Sequence, residues 1–179
     1  GLSKEAYNFI AGLMKHMRSM TAIINPIVNS YKRLVPGYEA PTYIAWSATN
    51  RSPLIRVPAA RGLGTRVELR SPDCATNPYL AIAVCLAAGL DGIKNNLQPV
   101  DSIQRDIYSM TDEERDEAGI ENLPKNLYEA IQEMRKSDFV KGVLGKEVFK
   151  KYIKAKEEEW MEYTSQVTDW EIDRYLGRI

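Results

Sequence analysis

The chain has 179 residues and a mass of 20.3 kDa, with 44% apolar and 27% charged residues, a balance that is typical of a folded globular protein and excludes a disordered chain. Its longest apolar run, residues 79–90, is too short for a membrane span of about 20 residues, and nothing at its beginning is typical of a signal peptide. Cys74 and Cys85 have neither metal-motif nor redox-motif spacing, so we expect a reduced, cytoplasmic protein.

The formal net charge of zero hides an uneven distribution along the chain. Residues 1–100 carry 11 Lys and Arg against 5 Asp and Glu, whereas residues 101–179 carry 13 against 19. Between residues 33 and 73 there are six arginines, at positions 33, 51, 56, 61, 66 and 70, and no lysine. Because the planar guanidinium suits bidentate binding of carboxylate and phosphate, the first half of the chain is the candidate anion site.

The first predicted element is a helix. Ser3 is a natural N-cap, and apolar residues recur at helical spacing from Ala6 to Met17. A helix that begins at residue 3 with so wide an apolar face must pack against other parts of a protein. We therefore expect the chain to be a piece of a longer one. His16 is the only histidine; we expect it near the end of this helix, where a cation suits the macrodipole, in a structural or surface role.

A less regular helical stretch follows, and then a loop whose prolines and glycine, Pro36, Gly37 and Pro41, prevent regular structure. Three short strands are predicted in "TYIAWSA", "PLIRVP" and "TRVELR". Asn77 and Pro78 then start a helix that is apolar nearly all round, which predicts burial on every side. Thr111 and Glu114 form a capping-box pattern, and amphipathic helices are expected over residues 123–176. The fold class is therefore α+β, with short antiparallel strands packed against helices and a mainly helical C-terminal region.

The strand "TRVELR" raises the question of function. Alternation places Arg66, Glu68 and Arg70 on one face of it. One interpretation is a solvent-facing sheet with ordinary charge pairs. The other is a site in which Glu68 binds a divalent cation, with further ligands from elsewhere, while the arginines bind anionic groups.

Two further groups have the same double interpretation. Glu39, on a loop bounded by proline and glycine, is either a surface turn residue or a flap carboxylate that closes over substrate and takes a proton. Arg51 and Arg56 bracket a short strand and are either surface charges or phosphate ligands. No phosphate-binding loop, dinucleotide fingerprint, catalytic triad or zinc spacing is present in the sequence.

These residues lie in a stretch, residues 25–95, that resembles the glutamine synthetase family of the bacterial and archaeal dodecameric type. The specific motifs are "NSYKRLVPGYEAP", "NRS" and "ELRSPD" followed by "NPYLA". The remainder of the chain resembles the same enzymes more loosely. The resemblance implies ATP-dependent ligation of ammonia to L-glutamate through γ-glutamyl phosphate, with Mg²⁺ or Mn²⁺ as the metal.

The resemblance also implies roles for single residues. Glu68 matches the metal-ligand glutamate, and Glu39 matches the flap glutamate that closes the glutamate site and helps to deprotonate ammonium. Arg33 and Arg70, together with Arg51, match the arginines of the glutamate site. Arg51 also reaches the transferred phosphate, and it joins Arg56 and Arg66 as an ATP contact. Glu39 and Arg51 are thus the implied catalytic residues.

The resemblance further implies what else the enzyme needs. Residues 1–97 match the second half of the catalytic core and residues 98–179 a helical C-terminal region. The N-terminal β-grasp domain and the remaining metal ligands correspond to sequence upstream of Gly1. The intact enzyme is expected to be a homo-oligomer, a dodecamer of two hexameric rings, and the 179 residues alone are predicted to be inactive. Tyr108 is the nearest candidate for a tyrosine that is adenylylated in some members, although its surroundings depart from their pattern.

Two alternatives remain open. A related ligase that joins glutamate to another amine would keep the ATP and metal chemistry, but the intact "PGYEAP" favours ammonia. A non-catalytic module that binds anions or nucleic acid would use the arginines alone. Against that module, the arginines come with Glu39, Glu68 and Asp73, and the sequence has no basic face interleaved with aromatic residues. We therefore expect no nucleic-acid or membrane partner.

Overall fold

The computed structural model describes residues 1–35, 40–49 and 52–178. Eight α-helices lie in this part of the chain: α1 (Lys4–Ile24), α2 (Val28–Arg33), α3 (Pro78–Lys94), α4 (Asp112–Glu117), α5 (Leu127–Arg135), α6 (Asp138–Leu144), α7 (Lys146–Thr164) and α8 (Asp169–Tyr175). Its strands are short: β1 (Tyr43–Ile44), β2 (Trp46–Ser47), β3 (Ile55–Arg56), β4 (Glu68–Leu69) and β5 (Glu121–Asn122). The predicted α+β class is confirmed.

Helix α1 begins as predicted, with the Ser3 hydroxyl accepting a hydrogen bond from the amide of Ala6 at 3.3 Å. It is longer than expected and continues to Ile24. His16 therefore lies in the middle of α1, and its expected position near a helix end is wrong. The apolar stripe extends beyond Met17 through Met20 and Ile24, so one face remains buried over the additional turns.

Helix α3 also begins as predicted, because the Asn77 side chain accepts hydrogen bonds from the amides of Tyr79 and Leu80. The expectation that α3 is buried on all sides is wrong. One face packs against α1 through small residues, including Ala81 and Ala88, while Ile82 and Leu86 remain 65% and 52% exposed. A nearly continuous apolar sequence shows which side chains favour burial but does not show which face finds a partner.

The strands form two small sheets in the described chain. β3 pairs with β4 in antiparallel register, as predicted, and β1 pairs in the same way with β5, a strand that was not predicted. The β2–β3 pair is instead parallel.

The main core crosses the predicted boundary at residue 97. Ile10, Met17 and Ile24 of α1 share it with Leu127 and Ile131 of α5. A second, smaller apolar cluster contains Tyr43, Ala45, Ile107, Met110 and Ile120. The division into residues 1–97 and 98–179 stays a prediction, since a shared core neither requires nor excludes two units.

The C-terminal half is helical, as predicted. The Thr111 hydroxyl accepts from the Glu114 amide and the Glu114 carboxylate accepts from the Thr111 amide, so the capping box is confirmed. Helices α5 to α8 occupy the expected region. Among the described residues, no helix is both long and apolar enough to cross a bilayer.

Candidate active site

The centre of the site is the carboxylate of Glu68. The antiparallel register of β3 and β4 sets Arg56 directly opposite Glu68. Arg56 donates from Nη1 to Oε2 at 3.2 Å, and Arg66 donates from Nε to Oε1 at 2.8 Å, so each arginine holds one carboxylate oxygen. The prediction that Arg66 flanks Glu68 is confirmed, whereas the second guanidinium on the carboxylate comes from across the sheet.

This arrangement changes the acidity of Glu68. The hydrogen bond from Arg66, followed by the charges of Arg66 and Arg56, lowers the pKa of the Glu68 carboxyl below its usual value. The Glu68 side chain is 30% exposed, so it remains reachable from solvent. At neutral pH Glu68 is therefore an accessible, ionised carboxylate. It can accept hydrogen bonds but not donate them, and two guanidinium groups lie beside it.

Arg33 and Arg70 lie together at the end of β4. Arg33 projects from the last turn of α2 and donates to the carbonyl of Ser71 at 2.9 Å and to that of Arg70 at 3.3 Å. Arg70 donates to the carbonyl of Pro53 at 3.4 Å. These backbone acceptors join α2, β4 and the segment before β3, and they orient both guanidinium groups.

The turn after β4 is fixed by Asn25, a residue that the sequence reasoning missed. Its fully buried side chain donates from Nδ2 to the carbonyl of Ser71 at 2.8 Å and to Asp73 Oδ2 at 3.3 Å. The amide of Asp73 in turn donates to the carbonyl of Ile24 at 3.3 Å. An amide side chain in the apolar sequence "IINPIV" was the available signal, because a buried asparagine must find partners.

Glu39 and Arg51, the two implied catalytic residues, lie outside the described residues. The residues that follow them, Ala40 and Ser52, are described and are both buried. Each of them bonds to the 3₁₀ turn Ile107–Ser109, through the Tyr108 hydroxyl and the Ile107 amide respectively.

The described side chains fit the expected divalent metal in part. Glu68 provides one oxygen ligand of the kind that Mg²⁺ and Mn²⁺ prefer. Within residues 1–35, 40–49 and 52–178, no group of three or more His, Cys, Asp or Glu is placed to hold a metal ion. The described residues therefore fit one ligand position, and the source of the other ligands stays a prediction.

His16 has a structural environment. Its Nε2 lies 2.7 Å from Asp91 Oδ2, and its ring stacks on Phe139 with centroids 3.7 Å apart. The predicted structural role of His16 is confirmed, although its place in the helix was wrong. Cys74 and Cys85 are both free thiols.

Comparison with known proteins decides the family. The model of the glutamine synthetase catalytic domain matches residues 1–175. The chain belongs to the glutamine synthetase catalytic-domain family. It is 58% identical over 178 residues to the glutamine synthetase of Clostridium saccharobutylicum and 58% identical over 178 residues to that of Methanosarcina mazei. Each alignment covers 99% of this chain and 40% of the relative, so the chain spans 40% of the length of these relatives.

The fold agrees with this assignment. A solved complex of GmaS with ADP superposes with a TM-score of 0.86 at 40% identity, covering 99% of this chain and 40% of that one. Apo GmaS without ligand gives a TM-score of 0.83 at 39% identity. The resemblance to glutamine synthetase seen in the sequence is thereby confirmed.

Within this family the described site residues form two neighbouring groups. Glu68, Arg56 and Arg66 are in direct contact, and Arg33 and Arg70 meet at the end of the same strand. The roles given to these five residues and to Glu39 and Arg51 stay predictions.

Proposed function

We propose that the chain is part of an ATP-dependent ligase that joins ammonia to L-glutamate through γ-glutamyl phosphate, giving glutamine, ADP and phosphate. The observation that carries this proposal is the contact of Glu68 with both Arg56 and Arg66. An ionised carboxylate between two guanidinium groups offers a hard cation ligand and phosphate ligands within one small area. The membership in the glutamine synthetase family supports the same chemistry.

In this proposal, side chains on and beside β3 and β4 bind the ATP phosphates and the metal ion. Glu68 would hold one divalent ion, Mg²⁺ or Mn²⁺, and the other ligands would come from outside the described residues. The ion supplies positive charge next to the phosphate oxygens when it is bound. Arg56 and Arg66 bind ATP phosphates, and they share their guanidinium donors between those phosphates and the Glu68 carboxylate.

The end of β4 binds glutamate. A guanidinium group carries five N–H donors. Arg33 uses two of them in hydrogen bonds to the carbonyls of Ser71 and Arg70. Those two bonds orient the group, while its remaining edge suits a substrate carboxylate in bidentate geometry. Arg70, fixed from the carbonyl of Pro53, lies beside it and serves the same substrate.

Glu39 and Arg51 complete the proposed machinery. Glu39 closes over the glutamate site and accepts a proton from ammonium, which leaves ammonia free to attack the acyl phosphate. Arg51 contacts glutamate, ATP and the phosphoryl group during its transfer. We also infer a cytoplasmic enzyme, in keeping with two free cysteines, and a dodecamer of two hexameric rings.

The test is formation of γ-glutamyl hydroxamate from glutamate, hydroxylamine, ATP and Mg²⁺ by the protein of the complete reading frame. Glu68→Ala removes the cation ligand and leaves two facing arginines, so we expect at least about a 100-fold loss of turnover. Glu147→Ala is the matched control, because this glutamate is 80% exposed on α7 and pairs only with Lys151 among the described residues.

Equal turnover by the Glu68→Ala and Glu147→Ala proteins would contradict the role of Glu68. The amine is tested separately, with ammonium and a primary alkylamine offered in parallel. Turnover that requires the alkylamine would replace ammonia as the proposed substrate and leave the ATP chemistry in place.

A further inference from the structure

A short turn lies against both segments that lead away from the proposed catalytic residues. We propose that the turn Ile107–Ser109, named here the Tyr108 turn, holds the backbone at Ala40 and Ser52, the residues that directly follow Glu39 and Arg51 in the sequence, with Tyr108 as the positioning residue. The catalytic part of this inference depends on the proposed function. The structural part does not.

The first link runs from Tyr108 to Ala40. The Tyr108 hydroxyl donates to the carbonyl of Ala40 at 3.3 Å, and its ring packs on the ring of Tyr43 with centroids 5.7 Å apart. Ala40 is 4% exposed, so its carbonyl is held in a largely dry environment where a hydrogen bond matters more. Ala40 directly follows Glu39 in the sequence, so the bond holds the first described residue after the proposed flap glutamate.

The second link runs from Ile107 to Ser52. The Ile107 amide donates to the Ser52 hydroxyl at 3.3 Å, and the Ile107 side chain is fully buried in the smaller apolar cluster. Ser52 directly follows Arg51. Two consecutive residues of one turn therefore bond to the residues that follow Glu39 and Arg51.

The Tyr108 turn is itself firmly held. Asp106 caps it, accepting from the Tyr108 amide at 3.1 Å on its side chain and from the Ser109 amide at 3.2 Å on its carbonyl. Upstream, Gln104 accepts a hydrogen bond from the Thr49 hydroxyl at 2.8 Å. The backbone of the turn is thus held by the Asp106 cap.

The chemistry of the Tyr108 hydroxyl fits this role. A carbonyl can only accept, so Tyr108 must be protonated to make the bond. Burial is the largest effect on this group and raises the pKa of Tyr108 above its usual value, which keeps the proton in place at neutral pH. Phosphoryl transfer depends on the placement of charged groups, so a small displacement of either segment lowers the rate.

The test is Tyr108→Phe in the protein of the complete reading frame, which removes the hydroxyl and keeps the ring. We expect amide hydrogen exchange over residues 40–44 to accelerate about 3- to 10-fold, the range for loss of one neutral hydrogen bond. The kcat/KM for ammonium should fall by a similar factor, with the KM for ATP unchanged within about 2-fold. Tyr79→Phe, at a tyrosine that is 84% exposed on α3, is the control and should match the unmodified protein.

Ser52→Ala tests the second link independently of tyrosine. It removes the acceptor for the Ile107 amide and should accelerate exchange at Ile107. Exchange in the Tyr108→Phe protein equal to that of the Tyr79→Phe protein would overturn the structural inference. In an active enzyme, ammonium kinetics equal to the control would overturn the positioning role even where exchange accelerates. An unmodified protein without ligase activity would defeat the proposed function, and exchange would still decide whether the turn holds the two segments.

Discussion

At the scale of single residues, Asp91 shows how one carboxylate joins three helices. Its Oδ2 accepts from Lys15 Nζ at 2.9 Å and lies 2.7 Å from His16 Nε2, both on α1. Its Oδ1 accepts from Asn95 at the end of its own helix, α3. The His16 ring stacks on Phe139 of α6, so the orientation of the imidazole connects all three elements.

The pH dependence of this junction follows from Asp91. The hydrogen bond from His16, then the one from Lys15, lowers the pKa of Asp91 in the folded protein below its unfolded value of about 3.9. A depressed folded pKa stabilises the fold above the unfolded pKa, and this contribution is lost as the pH falls through the folded pKa. Asp91→Asn should therefore lower the free energy of unfolding at pH 7 by about 0.5–1 kcal/mol, a modest figure because water screens a partly exposed pair.

Urea unfolding at pH 7 and near pH 3 measures this difference. We expect the difference in free energy of unfolding between the Asp91→Asn and unmodified proteins to be smaller at the lower pH. Asp173→Asn, at an exposed position on α8, should show no gap at either pH. A gap of the same size at both pH values would mean that packing, and not the charge of Asp91, stabilises the junction.

Residue-scale prediction worked where the partners are close in sequence. Ser3, Asn77 and Thr111 were recognised as caps because a cap and its amide lie two or three residues apart. Arg66 was placed beside Glu68 for the same reason, since alternation in a strand is local. The contact of Arg56 with Glu68 could not be predicted in this way, because strand register is fixed by the whole fold.

At the scale of elements, the closest contact is between α1 and α3. A Cβ atom on Gly12 would lie 2.0 Å from the carbonyl oxygen of Ala88, and one on Gly92 would lie 2.0 Å from that of Asn8. In both cases the obstacle is backbone, which cannot rotate away as a side chain does. The two helices approach so closely because neither carries a side chain at these positions.

Gly12→Ala should therefore be strongly destabilising, even though alanine is the better helix former. The added methyl group would push the two helix backbones apart and disturb the packing between α1 and α3. We expect the free energy of unfolding to fall by about 3 kcal/mol or more. Gly142→Ala on α6 is the matched control, because nothing lies within 4 Å of its added Cβ. It should be neutral or stabilising by up to about 1 kcal/mol. The measurement is the midpoint of thermal unfolding for both variants. Equal midpoints for Gly12→Ala and Gly142→Ala would contradict the close approach of α1 and α3.

The exposed row on α3 shows what an element's sequence leaves open. Ile82, Leu86 and Leu90 are all at least half exposed, although the helix is apolar enough to be read as a core element. The amino-acid composition of a helix reports how strongly its side chains favour burial, but it does not show which of its faces packs against the rest of the chain. The parallel pairing of β2 and β3 was missed for a related reason, since two-residue strands contain too little pattern to indicate direction.

At the scale of the whole molecule, a large apolar core is shared by distant parts of the chain, whereas the proposed metal site rests on one described side chain, Glu68. Residues of α1 and α5, more than a hundred positions apart, share that core, so the chain has the means to hold β3 and β4 in place. Glu68 is proposed as a metal ligand, yet within residues 1–35, 40–49 and 52–178 no group of three or more His, Cys, Asp or Glu is placed to hold an ion. Stability and catalytic competence are therefore separate properties of these 179 residues.

This separation gives the last prediction, that residues 1–179 assayed alone form no γ-glutamyl hydroxamate under conditions in which the complete reading frame is active. A single carboxylate cannot fix divalent ions in the geometry that phosphoryl transfer requires, however well Arg56 and Arg66 orient it. Circular dichroism should first establish that the 179 residues are folded and helical, so that inactivity is not confused with unfolding. ATP-dependent hydroxamate formation by these residues, abolished by Glu68→Ala and so not due to a contaminant, would show that the site is complete and that its remaining metal ligands lie within the chain.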